Sequence, residues 1–197
     1  MEYNVVAAGI GGQGLVLFSE IFTKSMLREG LNASFYVHSG LAQLGGSVRS
    51  HIRCGKRICP KISMGCADLI VSLETAEILH AIPYLKKDGT ALISKVKLQP
   101  YMSKMSPEAY PAEEEIGAMF AVSGAQAVFV PAGRIARNAG HIQAVNMAML
   151  GCVVAQSGIV ETESVVLTIR ENLDRGEDIN VEAFWKGYEF VTGKDYN

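Results

Sequence analysis

The chain has 197 residues, 49% of them apolar and 19% charged, with a formal net charge of −2. That balance excludes intrinsic disorder, and the absence of net positive charge excludes a chain-wide footprint for nucleic acid. The length is ample for a hydrophobic core, read here as one domain over residues 1–197.

The first element is an apolar strand over residues 3–8, which runs into Gly9-Ile10-Gly11-Gly12-Gln13-Gly14. This G-x-G-x-x-G turn opens a helix over 15–29 that places Leu15, Phe18 and Phe22 on one face and stops at Gly30. Between a strand and a helix, small residues let a phosphate approach the backbone, and the helix start supplies free N–H groups. A tight turn with no ligand gives the same pattern. The second strand, over 33–37, continues as His38-Ser39-Gly40 with no carboxylate to hold a ribose. This weakens a nicotinamide dehydrogenase reading.

Residues 37–61 contain Arg49, Arg53, Lys56, Arg57 and Lys61 but no Asp or Glu. If residues 47–54 form a strand, their alternation puts Arg49, His51 and Arg53 on one face beside the Gly45-Gly46-Ser47 turn. Such a face suits an anionic ligand or an acidic partner; an edge strand kept soluble by charge is the bland alternative. Next come a buried strand over 68–73, a helix over 75–85 containing His80, a Lys87-Asp88-Gly89 turn and a strand over 90–94. Residues 99–115, with Pro100, Pro107 and Pro111, read as a long surface loop, and 127–130 as one more buried strand.

From about residue 133 the pattern is helical, over 134–138, 142–156, 162–173 and 181–191. The run 142–160 is interrupted by Gln143, Asn146, Gln156 and Ser157, which fits a buried helix better than a membrane span. The expected fold class is α/β: Rossmann-like, a mostly parallel sheet flanked by helices, closed by a helical C-terminal tail.

Cys54, Cys59, Cys66 and Cys152 never fall in C-x-x-C spacing, and His38, His51, His80 and His141 show no metal spacing. Neither a disulfide framework, a metal site nor a catalytic residue is expected in this chain. No basic and apolar leader follows Met1, so the expected location is cytoplasmic.

Gly9-Ile-Gly-Gly-Gln-Gly14 together with Gly40-Leu-Ala-Gln-Leu-Gly-Gly-Ser-Val48 resembles the gamma subunits of 2-oxoacid:ferredoxin oxidoreductases, most nearly the small (beta) subunit of the indolepyruvate type. The 67–74 strand, Pro83-Tyr84-Leu85, Asn146-Met-Ala-Met-Leu-Gly151 and residues 184–188 extend the likeness over essentially the whole chain. The resemblance implies one subunit of an enzyme that oxidatively decarboxylates a 2-oxo acid (pyruvate, 2-ketoisovalerate, 2-oxoglutarate or indolepyruvate) to acyl-coenzyme A and CO2, with electrons passing to ferredoxin. It implies thiamine diphosphate, Mg and [4Fe-4S] clusters held by companion subunits, none by this chain alone, and coenzyme A as co-substrate. It places the cofactor-facing surface at Gly11, Gly12, Gln13, Gly14, Gly45, Gly46 and Ser47, to which the basic strand face adds Arg49. Leu44 stands where many relatives have Arg, and His38-Ser39-Gly40 departs from the usual His-Gly. A free-standing NAD(P) dehydrogenase and a non-catalytic scaffold are the alternatives. Self-association stays open, and neither nucleic acid nor a membrane is an expected partner.

Overall fold

The computed structural model describes residues 2–39, 45–56, 59, 61–98 and 110–193. Strand β1 (Tyr3–Ile10) is followed by helix α1 (Leu15–Arg28), strands β2 (Ala33–Ser39), β3 (Ser47–Cys54) and β4 (Ala67–Ser72), and strand β5 (Leu85–Ser94). Then come helix α2 (Glu113–Ser123), strand β6 (Gln126–Val130) and helices α3 (Ala132–Asn138), α4 (Val145–Ser157), α5 (Thr162–Asn172) and α6 (Glu177–Thr192). They build one six-stranded sheet in the order β2-β3-β1-β4-β5-β6.

Strands β1, β4, β5 and β6 are parallel, as the alternation of strands and helices predicts. The departure is β3. It runs antiparallel between β1 and β2, so it is an interior strand, and the edge-strand reading of its positive charge is wrong.

Alternation along β1 divides the interior in two. Val5 and Ala7 pack with α1, α4 and α6 on one face, whereas Val6 and Ala8 pack with Ile62, Ile78, Ile116 and Phe120 on the other. Helix α4 is buried from Val145 to Val154. It lies against α6, its most extensive helix contact, so the helical C-terminal tail that closes the fold forms a layer of its core. The low amphipathicity of 142–156 follows, because this helix has core on nearly every side.

Two local expectations fail. Residues 75–85 form two short 3-10 segments, Ala76–His80 and Ile82–Tyr84, before β5 begins at Leu85. Pro83 lacks the N–H a continuous α-helix would need, and His80 is exposed instead of packed in a helix. Within the expected loop 99–115, residues 99–109 lie outside the described set, but α2 starts at Glu113, with three acidic residues in its first turn where the helix dipole favours them. Among the described residues no helix is long and apolar enough to cross a membrane.

Candidate functional site

The glycine turn lies at the carboxyl end of β1, where the parallel strands open onto the start of α1. Gly12 and Gly14 have φ of 93° and 76°, a left-handed backbone that glycine adopts without strain. Gly14 is also confined by its neighbour: a Cβ there would lie 2.4 Å from Asn146 Nδ2. Gln13 closes the turn. Its Oε1 accepts from the Ile10 N–H at 2.7 Å, and its Nε2 donates to the Leu73 carbonyl at 3.0 Å. The side chain thus ties the loop to the end of β4.

The antiparallel register of β3 aligns Ile10 with Ser47. This brings the Gly-Gly-Ser turn alongside the glycine loop, and the Gly11 N–H donates to the Gly46 carbonyl at 2.9 Å. Gly45 adopts a φ of 75° just before it. The two motifs singled out from the sequence are therefore neighbours. Leu44 and the rest of 40–44 lie outside the described residues.

Ser47 donates through Oγ to Glu77 Oε2 at 2.5 Å. Burial pushes the Glu77 carboxyl up, against the lowering effects of this hydrogen bond and of His80; the Glu74 charge adds to the rise. Arg49, His51 and Arg53 share a strand face as expected, but all three are engaged within the chain. Arg49 Nη1 donates to the His80 carbonyl at 3.0 Å, and its guanidinium lies 5.3 Å from the Tyr84 ring centroid. His51 Nδ1 accepts from the Ile62 N–H at 3.1 Å. Burial pushes this imidazole down to about 4, helped by the positive charge of Arg49 and Lys61 and by His38. Arg53 donates to Asn4 Oδ1 at 3.0 Å and to the Cys59 carbonyl at 2.8 Å.

A cleft of about 410 Å³ opens in front of the loop, lined by Gly12, Gln13 and Gly14 on one side and by Val96, Leu98, Ile142, Gln143, Val145 and Asn146 on the others. Gly11, Gly45, Gly46, Ser47 and Arg49 are not among its lining residues; Gly46 holds the loop through the Gly11 N–H. Among the described residues no charged side chain lines the cleft. A second recess of about 390 Å³ shares Val96, Leu98 and Ile142 with it and adds Lys95, Lys97, Arg134 and Arg137. The cleft thus presents the glycine loop and the carboxamide side chains of Gln13, Gln143 and Asn146, with cations next door.

The sequence reading missed the opposite wall. Asn146 donates to the Gly14 carbonyl at 3.3 Å while its Oδ1 accepts from the Met147 N–H at 2.9 Å. Its signal was a polar side chain inside an apolar helix. Glu74, only 1% exposed, follows directly on the apolar run 69–73, a carboxylate where a strand should leave the core. Among the described residues, no group of three His, Cys, Asp or Glu is placed to hold a metal ion.

Comparison with known proteins gives this geometry a family. The profile of pyruvate ferredoxin/flavodoxin oxidoreductases matches residues 4–190. The chain belongs to that family. It is 33% identical to indolepyruvate oxidoreductase subunit IorB of Methanothermobacter thermautotrophicus, covering 95% of this chain and 97% of the relative. Against the subunit of the same name from Archaeoglobus fulgidus it is 32% identical, covering 98% of both. The fold matches the gamma subunit of a keto/oxoacid ferredoxin oxidoreductase from Geobacter sulfurreducens with a TM-score of 0.73 at 20% identity, over 98% and 99% of the two chains. It also matches 32% of a 2-oxoglutarate:ferredoxin oxidoreductase chain from Magnetococcus marinus, with 98% of this chain covered, a TM-score of 0.74 and 16% identity. The family membership implied by the two glycine motifs and the α/β class are both established.

Proposed function

We propose that this chain is the gamma-type subunit of a thiamine diphosphate-dependent 2-oxoacid:ferredoxin oxidoreductase, and that it forms the coenzyme A-facing wall of the active site. The holoenzyme would decarboxylate a 2-oxo acid of the indolepyruvate type, release acyl-coenzyme A and CO2, and pass electrons to ferredoxin. The observation that carries this is the hydrogen bond from Gly11 to Gly46, which ties the family's second glycine element to the loop whose Gly12, Gln13 and Gly14 line the cleft.

The cleft suits coenzyme A in kind. A Cβ on Gly12 would meet nothing within 4 Å, so the loop leaves its outer side open to a phosphate, and Gln143 and Asn146 offer carboxamides beside it. Val96, Leu98 and Val145 would accommodate the apolar pantetheine chain, and the Lys95–Arg137 recess would balance further phosphate charge. Bound there, coenzyme A supplies the thiol that takes the acyl group. This chain's part is to hold and orient it. Thiamine diphosphate and the clusters do not fit the residues of this chain: its sequence has no Gly-Asp-Gly…Asn-Asn signature and no C-x-x-C run. They belong on companion subunits.

A dehydrogenase reading fares worse than it did on sequence. Strand β2 is separated from β1 by β3, so the position from which a dinucleotide fold reaches the ribose is not next to the glycine loop.

Co-expression with the companion chains tests the proposal. The complex should reduce an acceptor with indolepyruvate and coenzyme A, and coenzyme A should slow hydrogen exchange at residues 11–14. The isolated chain should do neither chemistry nor thiamine binding. Turnover by the isolated chain would end the subunit assignment.

A further inference from the structure

The Glu74 carboxylate is almost wholly enclosed, yet no ion pair to it occurs among the described residues. Its charge is met by four donors instead. Oε2 accepts from the Ala76 and Glu77 N–H groups at 2.7 and 3.0 Å. Oε1 accepts from the Leu98 N–H at 3.2 Å and from the Tyr110 hydroxyl. One oxygen therefore grips the first turn of the 3-10 segment and the other grips the strand exit that lines the cleft.

The neighbouring residues continue the frame on both sides. The Thr75 N–H donates to the Val96 carbonyl at 2.9 Å, and Thr75 Oγ1 donates to the Ser94 carbonyl at 2.8 Å. On the other side Leu73 receives Gln13 Nε2 from the glycine loop. A continuous path of hydrogen bonds thus runs from Ile10 and Gln13 through 73–75 to Val96 and Leu98, one wall of the cleft to the other.

We propose that Glu74 is a positioning residue that sets the Val96–Leu98 wall against the glycine loop, so that both walls of the cleft move as one frame. A carboxylate suits this place because it presents two acceptor oxygens and no donor. A carboxamide would turn an N–H toward one of the two donor pairs and release that arm. Burial and the adjoining Glu74 charge push the Tyr110 phenol up, which keeps it a donor to this carboxylate at any ordinary pH.

The inference rests on coenzyme A binding in this cleft, and the test separates the two. In the assembled complex, Glu74→Gln should raise KM for coenzyme A about tenfold while kcat stays within about twofold, the signature of lost binding geometry without lost chemistry. Amides at 96–98 should exchange faster, and Glu74→Asp should recover part of the KM. Should Glu74→Gln not assemble, Tyr110→Phe removes one donor to the same oxygen and should raise KM in the same sense. Unchanged KM in the assembled variants, or kcat falling as far as kcat/KM, would overturn the role of Glu74. Failure of coenzyme A to protect residues 11–14 in the wild-type complex would instead overturn the reading of the cleft.

Discussion

Gly187 on α6 faces the backbone of Ala148 on α4 so closely that a Cβ on the glycine would sit 1.9 Å from the Ala148 carbonyl oxygen. The contact is reciprocated one turn along, where a Cβ on Gly151 would lie 2.0 Å from the Phe184 carbonyl oxygen. The two helices thus meet backbone to backbone, and the Cys152 thiol, pushed up to about 12 by burial, donates to the Gly187 carbonyl at 3.2 Å.

Gly187→Ala is expected to destabilise the chain by about 3 kcal/mol or more, because rigid backbone must move to admit one methyl group. The gain of roughly 1 kcal/mol in helix propensity is too small to offset this. Urea denaturation of Gly187→Ala and Gly151→Ala checks it: stability equal to the wild type would mean the helices are not in contact here.

The glycine loop separates conformational strain from crowding. Gly12→Ala meets open space and should cost only the left-handed backbone penalty, about 1–2 kcal/mol. Gly14→Ala carries that penalty and must also displace the buried Asn146 carboxamide, so its loss should be larger, about 2–3 kcal/mol. Chemical denaturation of both variants measures the difference, and the order Gly12 above Gly14 would contradict the geometry.

His51 makes stability depend on pH in a defined direction. Burial pushes its imidazole down to about 4 in the folded chain against 6.5 when free, so the unfolded chain binds the extra proton between these values. Stability from this group is complete above about pH 6.5 and falls as pH drops towards 4, by roughly 3 kcal/mol. The groups facing it are Arg49, Lys61, His38 and the edge-on Tyr84 ring, 4.9 Å away. Denaturation curves across this range should show a shallower slope for His51→Gln than for the wild type.

Ser47→Ala removes the donor that favours the charged form of Glu77. The Glu77 carboxyl should then titrate at higher pH still, since burial acts against one fewer stabilising contact. Carbon-detected NMR titration reads that direction, and the accompanying loss of stability should be about 1 kcal/mol. A downward movement would show that the Ser47 hydroxyl does not donate to Glu77.

Local signals in the sequence carried much of this. The strand–glycine–helix opening survives because turn chemistry and apolar spacing there depend on neighbouring residues alone, and the alternation of Ser47–Cys54 correctly put Arg49, His51 and Arg53 on one face. What the sequence did not disclose was the insertion of β3 between β1 and β2, since strand order is decided by contacts distant along the chain. Arg49, on the face of β3 turned away from α1, bonds to the His80 carbonyl and lies over the Tyr84 ring. Residues 75–85 misled through their apolar content, which fits 3-10 turns packed on a sheet as well as it fits a helix. Glu74 was overlooked because nothing in a linear pattern shows that a lone carboxylate will find four donors.

The Ile10–Ser47 alignment has a bearing on how the protein is made. Slipping β3 by a single residue would swing Arg49 and His51 into the side occupied by α1 and expel Val48 and Ile52. The Gly11–Gly46 contact beside the glycine loop can form only after that long-range pairing has locked. Completion of the sheet is therefore the step that topology makes slow relative to helix formation.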